Sequence, residues 1–146
     1  MKEAVHIYTD GAARGNPGRA GAGIIIRDAE GVIAQKSFYL GHTTNNVAEY
    51  SALILGLREA QQLGARTVFL YTDSELLAKQ LAGVYRVKDE KLKVLYNEIK
   101  RLLNSFLHYH ITHIPRTDNR EADRLANEAI DQENEASGLT APVPIV

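Results

Sequence analysis

Four carboxylates, Asp10, Glu49, Asp73 and Asp123, are the residues of this 146-residue chain whose placement could do chemistry. Asp10 closes the apolar run AVHIYTD (4–10) and Asp73 closes RTVFLYTD (66–73), so IYTD and LYTD each put an acid after a strand. If these runs are parallel neighbours, both acids emerge at the same carboxyl edge, where open α/β sheets hold their ligands. Glu49, in NVAE, falls in the first turn of a long helical stretch. In the last helical stretch Asn119, Ala122, Asp123, Ala126 and Ile130 follow i, i+3, i+4 spacing, which sets Asp123 against the buried stripe. Two unit charges about 4 Å apart repel by roughly 4 kcal/mol at an effective dielectric of about 20, so four converging acids require cations. Oxygen-only donors favour hard ions, Mg²⁺ or Mn²⁺. Two such ions, about 3.5–4 Å apart, suit in-line displacement at a phosphodiester.

Taken singly, three of these acids also have a plain structural reading, Asp10 first, since strand-end aspartates often form turns. Asp73 could cap the helix of SELLAKQLAG, and Glu49 could answer Asn46 in a capping box. Glu121 is available as cap partner to Asp118, which leaves Asp123 without that excuse.

The elements that must position these acids alternate along the chain. Residues 4–10, 20–28 and 31–40 read as strands, the last two joined by the turn DAEG, and all three are expected to be antiparallel. In 46–64 the period changes: Tyr50, Leu53, Leu57 and Ala60 fall at helical spacing and Gly64 suits a C′ position. A buried strand at 66–73, a short helix at 74–83 and an amphipathic helix at 90–106 follow. A strand at 108–115 ends at Pro115, and the last helix is expected over 118–130. The order βββαβααβα predicts an α/β fold, a five-stranded mixed sheet with three antiparallel strands first, flanked by helices. Residues 1–130 form the expected domain, and the polar, Pro-broken 131–146 a flexible tail.

The glycine-rich stretch YTDGAARGNPGRAGAG contains neither G-x-x-x-x-G-K-[ST] nor G-x-G-x-x-G, so it is no nucleotide cradle by those rules. Two readings stand: GNPG is a hairpin turn beside a slender strand, or small residues let a sugar-phosphate backbone approach, with Asn16 reaching a groove.

Composition narrows the setting. With no cysteine there is no disulfide, thiolate metal site or cysteine nucleophile, and nothing argues for an oxidising compartment. MKEAVHIYTD lacks an apolar signal region and no run approaches the roughly 20 apolar residues of a membrane span, so a cytoplasmic protein is expected. Net charge is −1, yet residues 1–130 carry 17 basic against 15 acidic side chains, net +2. Lys79 to Arg101 holds seven basic residues against three acidic, net +4, either a patch for phosphates or a solvated helix face.

YTDGAARGNPGRAGAG, TTNNVAEYSALILGL, YTDSELLAKQLAG and NREADRLANEA, in this order and spacing, resemble the four signature blocks of type 1 ribonuclease H over about residues 4–130. The resemblance implies the ribonuclease H fold and a monomeric, Mg²⁺-dependent endonuclease cutting the RNA strand of an RNA–DNA hybrid to 5′-phosphate and 3′-hydroxyl ends. It implies that Asp10 bridges two metals, that Asp123 helps hold the ion activating water, and that Glu49 and Asp73 hold the ion at the leaving oxygen. By the same resemblance Asn16, Asn45 and Asn46 line the groove, and Thr44 with Asn46 grips a DNA phosphate. Main-chain groups near Gly11, Ala13 and Gly15, with Glu49, would meet RNA 2′-hydroxyls. Such contacts separate RNA from DNA without reading sequence.

Three departures from the family pattern carry expectations of their own. Where many members have a loop histidine before the last acid, this chain has THIPRTDNREAD, and Arg116 is expected to stabilise charge on the phosphate in preference to His113, which reads as a strand end. After Gly83, VYRVKDEKLK is short and free of tryptophan, leaving Arg86, Lys88, Lys91 and Lys93 for phosphates. Glu75 stands where other members present an amide to the minor groove; it either weakens binding or faces solvent. A 3′–5′ exonuclease of related fold would want a Tyr or His shortly before the last aspartate, which PRTDNREAD lacks. A hybrid-binding module without activity would have no use for four converging acids.

Overall fold

The structure, a computed structural model, describes residues 3–135. Its strands are β1 (Ala4–Gly15), β2 (Gly18–Asp28), β3 (Gly31–Thr43), β4 (Thr67–Thr72) and β5 (His108–His113). Its helices are α1 (Asn45–Gln62), α2 (Glu75–Leu81), α3 (Glu90–Leu103) and α4 (Arg120–Glu135), with a 3₁₀ turn at Arg116–Asp118. The sheet order is β3-β2-β1-β4-β5. The first three strands are antiparallel, and β4 joins β1, and β5 joins β4, in parallel. This is the five-stranded mixed sheet expected from the element order.

Two helical layers sandwich the sheet. α1 lies on β1 and β2 with α3 behind it, and α4 lies on the opposite face across β2, β1 and β3. The core between sheet and α1 is aliphatic, with Ile7, Ile24, Ile26, Ile54 and Leu57 fully buried. Each such side chain contributes about 1.5–3 kcal/mol. α1 is buried on nearly every side because α3 covers it with Leu92, Leu95, Ile99, Leu102 and Leu103. Gly64, at φ +75°, ends α1 as its position predicts.

Several boundaries differ from expectation, most of them at element ends. β1 runs past Asp10 to Gly15, because β2 pairs with it as far as Gly15↔Gly18, with only Asn16 and Pro17 at the turn. The glycine-rich stretch is therefore a hairpin, which bears out the slender-strand reading. Its small residues admit helix backbones: a Cβ on Gly23 would lie 2.0 Å from the Ala122 carbonyl oxygen, and one on Gly11 2.1 Å from the Ala48 carbonyl carbon. The last helix starts at Arg120 and continues to Glu135, since Glu133 extends the buried stripe of Ala126, Ala129 and Ile130. Residues 131–135 of the expected tail are thus helical, and 136–146 lie outside the described residues. α3 stops at Leu103, with Phe106 still buried beyond it. No helix among the described residues is long and apolar enough to cross a membrane.

Candidate active site

Parallel pairing of β1 with β4 ends at Tyr8↔Tyr71. Two residues further along each strand stand Asp10 and Asp73, side by side as the repeated YTD implies. α1 approaches from the β3 end of the sheet and brings Glu49 under Gly11, whose N–H donates to Glu49 Oε1 at 3.0 Å. Carboxylate oxygens of Asp10, Glu49 and Asp73 lie within 4.8 Å of one another. Asp123, in the first turn of α4, stands outside this group of three but close enough to Asp10 to act on its carboxyl. Three of the four acids named from sequence are therefore brought together by β1, β4 and α1, with Asp123 of α4 at the edge of the group.

Their setting is poor in water. Asp10 and Glu49 are each only 6% exposed, while Asp73 and Asp123 are half-buried. Burial, then the charge of Glu49, pushes the Asp10 carboxyl far above the ordinary carboxylate range. Burial raises Glu49 as well, opposed by the Gly11 N–H and by the positive charge of Arg116. Without a cation the pair holds a proton. An all-oxygen donor set, buried and too crowded with negative charge to ionise alone, fits a hard divalent ion.

The simpler roles weighed for these acids are taken by neighbours. Thr44 caps α1, accepting from Val47 N–H, so Glu49 is no capping-box partner of Asn46. Ser74 caps α2, accepting from Leu77 N–H, which frees Asp73. Glu121 pairs at 3.9 Å with Arg27 rather than answering Asp118.

Sequence reading gave no role to two asparagines, one turn on either side of Asp123. Asn119, 2% exposed, donates from Nδ2 to Asp73 Oδ2 and to the Thr9 carbonyl, both at 2.9 Å. Its Oδ1 is buried without a partner, a desolvation penalty of about 1–3 kcal/mol. Asn127 donates from Nδ2 to the Asp123 carbonyl at 3.1 Å and, more weakly, to its Oδ1 at 3.4 Å. Arg14 holds Asn127 Oδ1 at 3.2 Å and Asp131 at 2.6 Å. The i−4, i, i+4 placing around Asp123 was the available signal.

Three of the remaining candidates share a separate cleft. Asn16, Thr44 and Asn46 line a cavity of about 290 Å³ with Val47, Asp89, Lys91 and Leu92. The N-termini of α1 and α3 both open onto it. Asn45 is exposed and its N–H donates to Asn16 Oδ1 at 3.1 Å, which ties the β1–β2 turn to the start of α1. Ala13 and Gly15 lie on the outer half of β1, whereas Gly11 is buried. Arg116 is exposed in the 3₁₀ turn. His113 ends β5 as expected and lines a separate groove with Glu75, Ala78 and Ile111. Glu75 is exposed in the first turn of α2. Arg86, Lys88, Lys91 and Lys93 are all exposed.

Comparison with known proteins agrees with this geometry. The family model described as "Reverse transcriptase-like" matches residues 8–129. Ribonuclease HI of Halobacterium salinarum is 43% identical over 128 residues, covering 87% of this chain and 64% of the relative. The bifunctional protein Rv2228c of Mycobacterium tuberculosis is 40% identical over 145 residues, 97% of this chain and 40% of its own length. The chain thus spans less than two-thirds of either relative. LC11-RNase H1, isolated from compost by a metagenomic approach, has been solved in complex with an RNA/DNA hybrid. It superposes with a TM-score of 0.85 at 43% identity, covering 89% of this chain and 99% of that one. On the four acids, the fold that joins them and these likenesses, the chain belongs to the type 1 ribonuclease H family.

Proposed function

We propose that this protein is a monomeric, cytoplasmic endonuclease that hydrolyses the RNA strand of RNA–DNA hybrids with two divalent ions, without reading base sequence. The observation that carries the reading is the crowded, buried group of Asp10, Glu49 and Asp73. The hybrid bound by LC11-RNase H1, a protein of the same fold and 43% identity, supports the choice of substrate. Residues 1–130 carry the activity in this reading.

Asp10, placed between the other acids, would be shared by both ions. Asp123 would complete the site on the side of the attacking water, and Glu49 with Asp73 the site at the leaving oxygen. Bound Mg²⁺, or Mn²⁺ in its place, would lower the pKa of water and stabilise charge on the leaving oxygen. Water adds to phosphorus, the P–O3′ bond breaks, and a proton goes to the departing oxygen, which leaves a 3′-hydroxyl and a 5′-phosphate.

The rest of the chain binds and orients. Thr44, Asn16 and Asn46 with Lys91 form a cleft at two helix N-termini, where backbone dipoles and an ammonium favour a phosphate of the DNA strand. Main-chain groups of Gly11, Ala13 and Gly15 lie along the path to that cleft, with Asn45 beside it, and would face the minor groove. Glu49 would also meet a 2′-hydroxyl of the RNA strand. Arg116, whose charge reaches Glu49, would stabilise the phosphate as negative charge builds.

The test is an internally labelled hybrid with both ends blocked, alongside single-stranded RNA, duplex DNA and duplex RNA. Internal cuts in the hybrid RNA alone, with 5′-phosphate ends, are expected. An enzyme that stalls on blocked ends is an exonuclease, and a protein that binds the hybrid without cutting it is a binding module; either result overturns the reading.

A further inference from the structure

Asn119 precedes the first residue of α4, and its carbonyl accepts from Asp123 N–H at 3.1 Å, as the N-cap residue of a helix does. Asparagine is among the best residues for that position because its side-chain oxygen can accept from the first free amides. Here it does not. Its backbone, at φ −123° and ψ 26°, is outside the extended region typical of a cap, and its Oδ1 has no donor. The side chain instead turns inward, where its amide donates to Asp73 Oδ2 and to the carbonyl of Thr9, next to Asp10. A helix start that the Asn119 side chain does not cap, and a buried oxygen without a partner, are poor choices for stability. They make sense where stability yields to a site.

We propose that Asn119 is a positioning residue, an amide that fixes the Asp73 carboxylate and the β1 backbone beside Asp10 so that the two strand-end acids are already spaced for a divalent ion. This rests on the nuclease reading above. The amide is a neutral donor that fixes the Asp73 carboxylate without adding a competing cation, as the Gly11 N–H does for Glu49. Because α4 also carries Asp123 one turn further on, the same residue ties the fourth acid to the spacing of Asp10 and Asp73.

The test compares wild type, Asn119→Ala and Asp10→Asn by direct Mn²⁺ titration of the hybrid-free protein, by thermal melting in EDTA, and by steady-state cleavage. For Asn119→Ala the Mn²⁺ midpoint should rise about tenfold to a hundredfold, the weight of a hydrogen bond to a charged group. kcat should fall in step, KM for the hybrid should stay within about twofold, and raised Mg²⁺ should restore part of kcat. If the alanine variant does not fold, Asn119→Ser, which keeps a shorter donor, is read the same way. A Mn²⁺ midpoint and kcat within twofold of wild type, with only the melting temperature changed, would overturn the proposal and leave Asn119 a structural tie. Loss of cleavage in wild type itself would overturn the nuclease reading instead, and the Mn²⁺ titration would still decide the role of Asn119.

Discussion

Replacing Asp10 by asparagine should abolish cleavage and yet make the metal-free protein more stable. The oxygens of Asp10, Glu49 and Asp73 lie within 4.8 Å of one another, and at that separation two carboxylates repel by roughly 3.5 kcal/mol for an effective dielectric of about 20. The folded wild type avoids that repulsion by holding a proton on the pair, which becomes costly as pH rises, so the repulsion is the ceiling on what the acid costs; Asp10→Asn removes this cost while keeping the side chain's shape, a gain of up to about 3 kcal/mol. For a chain of this size, about 2–4 °C per kcal/mol makes a rise in Tm of up to about 6–12 °C in EDTA at pH 8. The pH dependence has a definite sign. Asp10 and Glu49 have folded-state values raised above their unfolded ones, so the folded protein binds the extra proton. Wild-type stability from this source is complete below the unfolded carboxylate value, near pH 4, and is lost as pH rises toward the raised values. The advantage of Asp10→Asn should therefore widen from pH 5 to pH 8. Mg²⁺ should narrow it by stabilising wild type alone. Melting followed by circular dichroism across this pH range, in EDTA and in Mg²⁺, reads all three effects. A lower Tm for Asp10→Asn in EDTA at pH 8, or a difference that does not change with pH, would refute the crowded-acid account.

Three other perturbations separate the parts of the site. Arg116→Ala should lower kcat by about tenfold to a hundredfold with KM nearly unchanged, while His113→Ala should leave both within about twofold; steady-state kinetics on one hybrid compares them. Lys91→Ala should raise KM and reduce the slope of log affinity against log salt by about 0.7–0.9, one phosphate contact fewer, with kcat preserved. Gly23→Ala would put a Cβ 2.0 Å from the Ala122 carbonyl oxygen, so α4 must shift; a loss of about 1–3 kcal/mol in urea unfolding is expected, with activity falling because α4 carries Asp123.

The site was legible in the sequence wherever local pattern and global fold say the same thing. The two YTD endings announced parallel neighbours, and the register Tyr8↔Tyr71 puts Asp10 beside Asp73 as they imply. Gly64 marked the end of α1 through its need for positive φ. What stayed hidden was set by tertiary packing. Glycines and alanines at 11–19 resemble a loop before the strand expected from 20, yet they extend β1 and β2 into one hairpin, and the backbones of α1 and α4 lie directly on Gly11, Gly21 and Gly23. Residues suited to capping stand next to each acid, and only the structure shows that Thr44 and Ser74 cap while Glu49 and Asp73 turn inward. Asn119 falls on the buried stripe of the last helix in the sequence, but which partners it meets there depends on two strand ends distant in sequence. The cleft of Asn16, Thr44 and Asn46 needed the fold to bring Asp89 and Lys91 from the start of α3 against it.

The central claim is that the buried acids make this chain a metal-dependent nuclease for hybrids. The most direct measurement is cleavage of one end-blocked RNA–DNA hybrid by wild type and Asp10→Asn, each in Mg²⁺ and in EDTA, with folding of both proteins checked by melting. Internal cleavage of the RNA strand by wild type in Mg²⁺, and by neither protein under any other condition, is the predicted result. Cleavage that persists in EDTA or in folded Asp10→Asn would contradict the account.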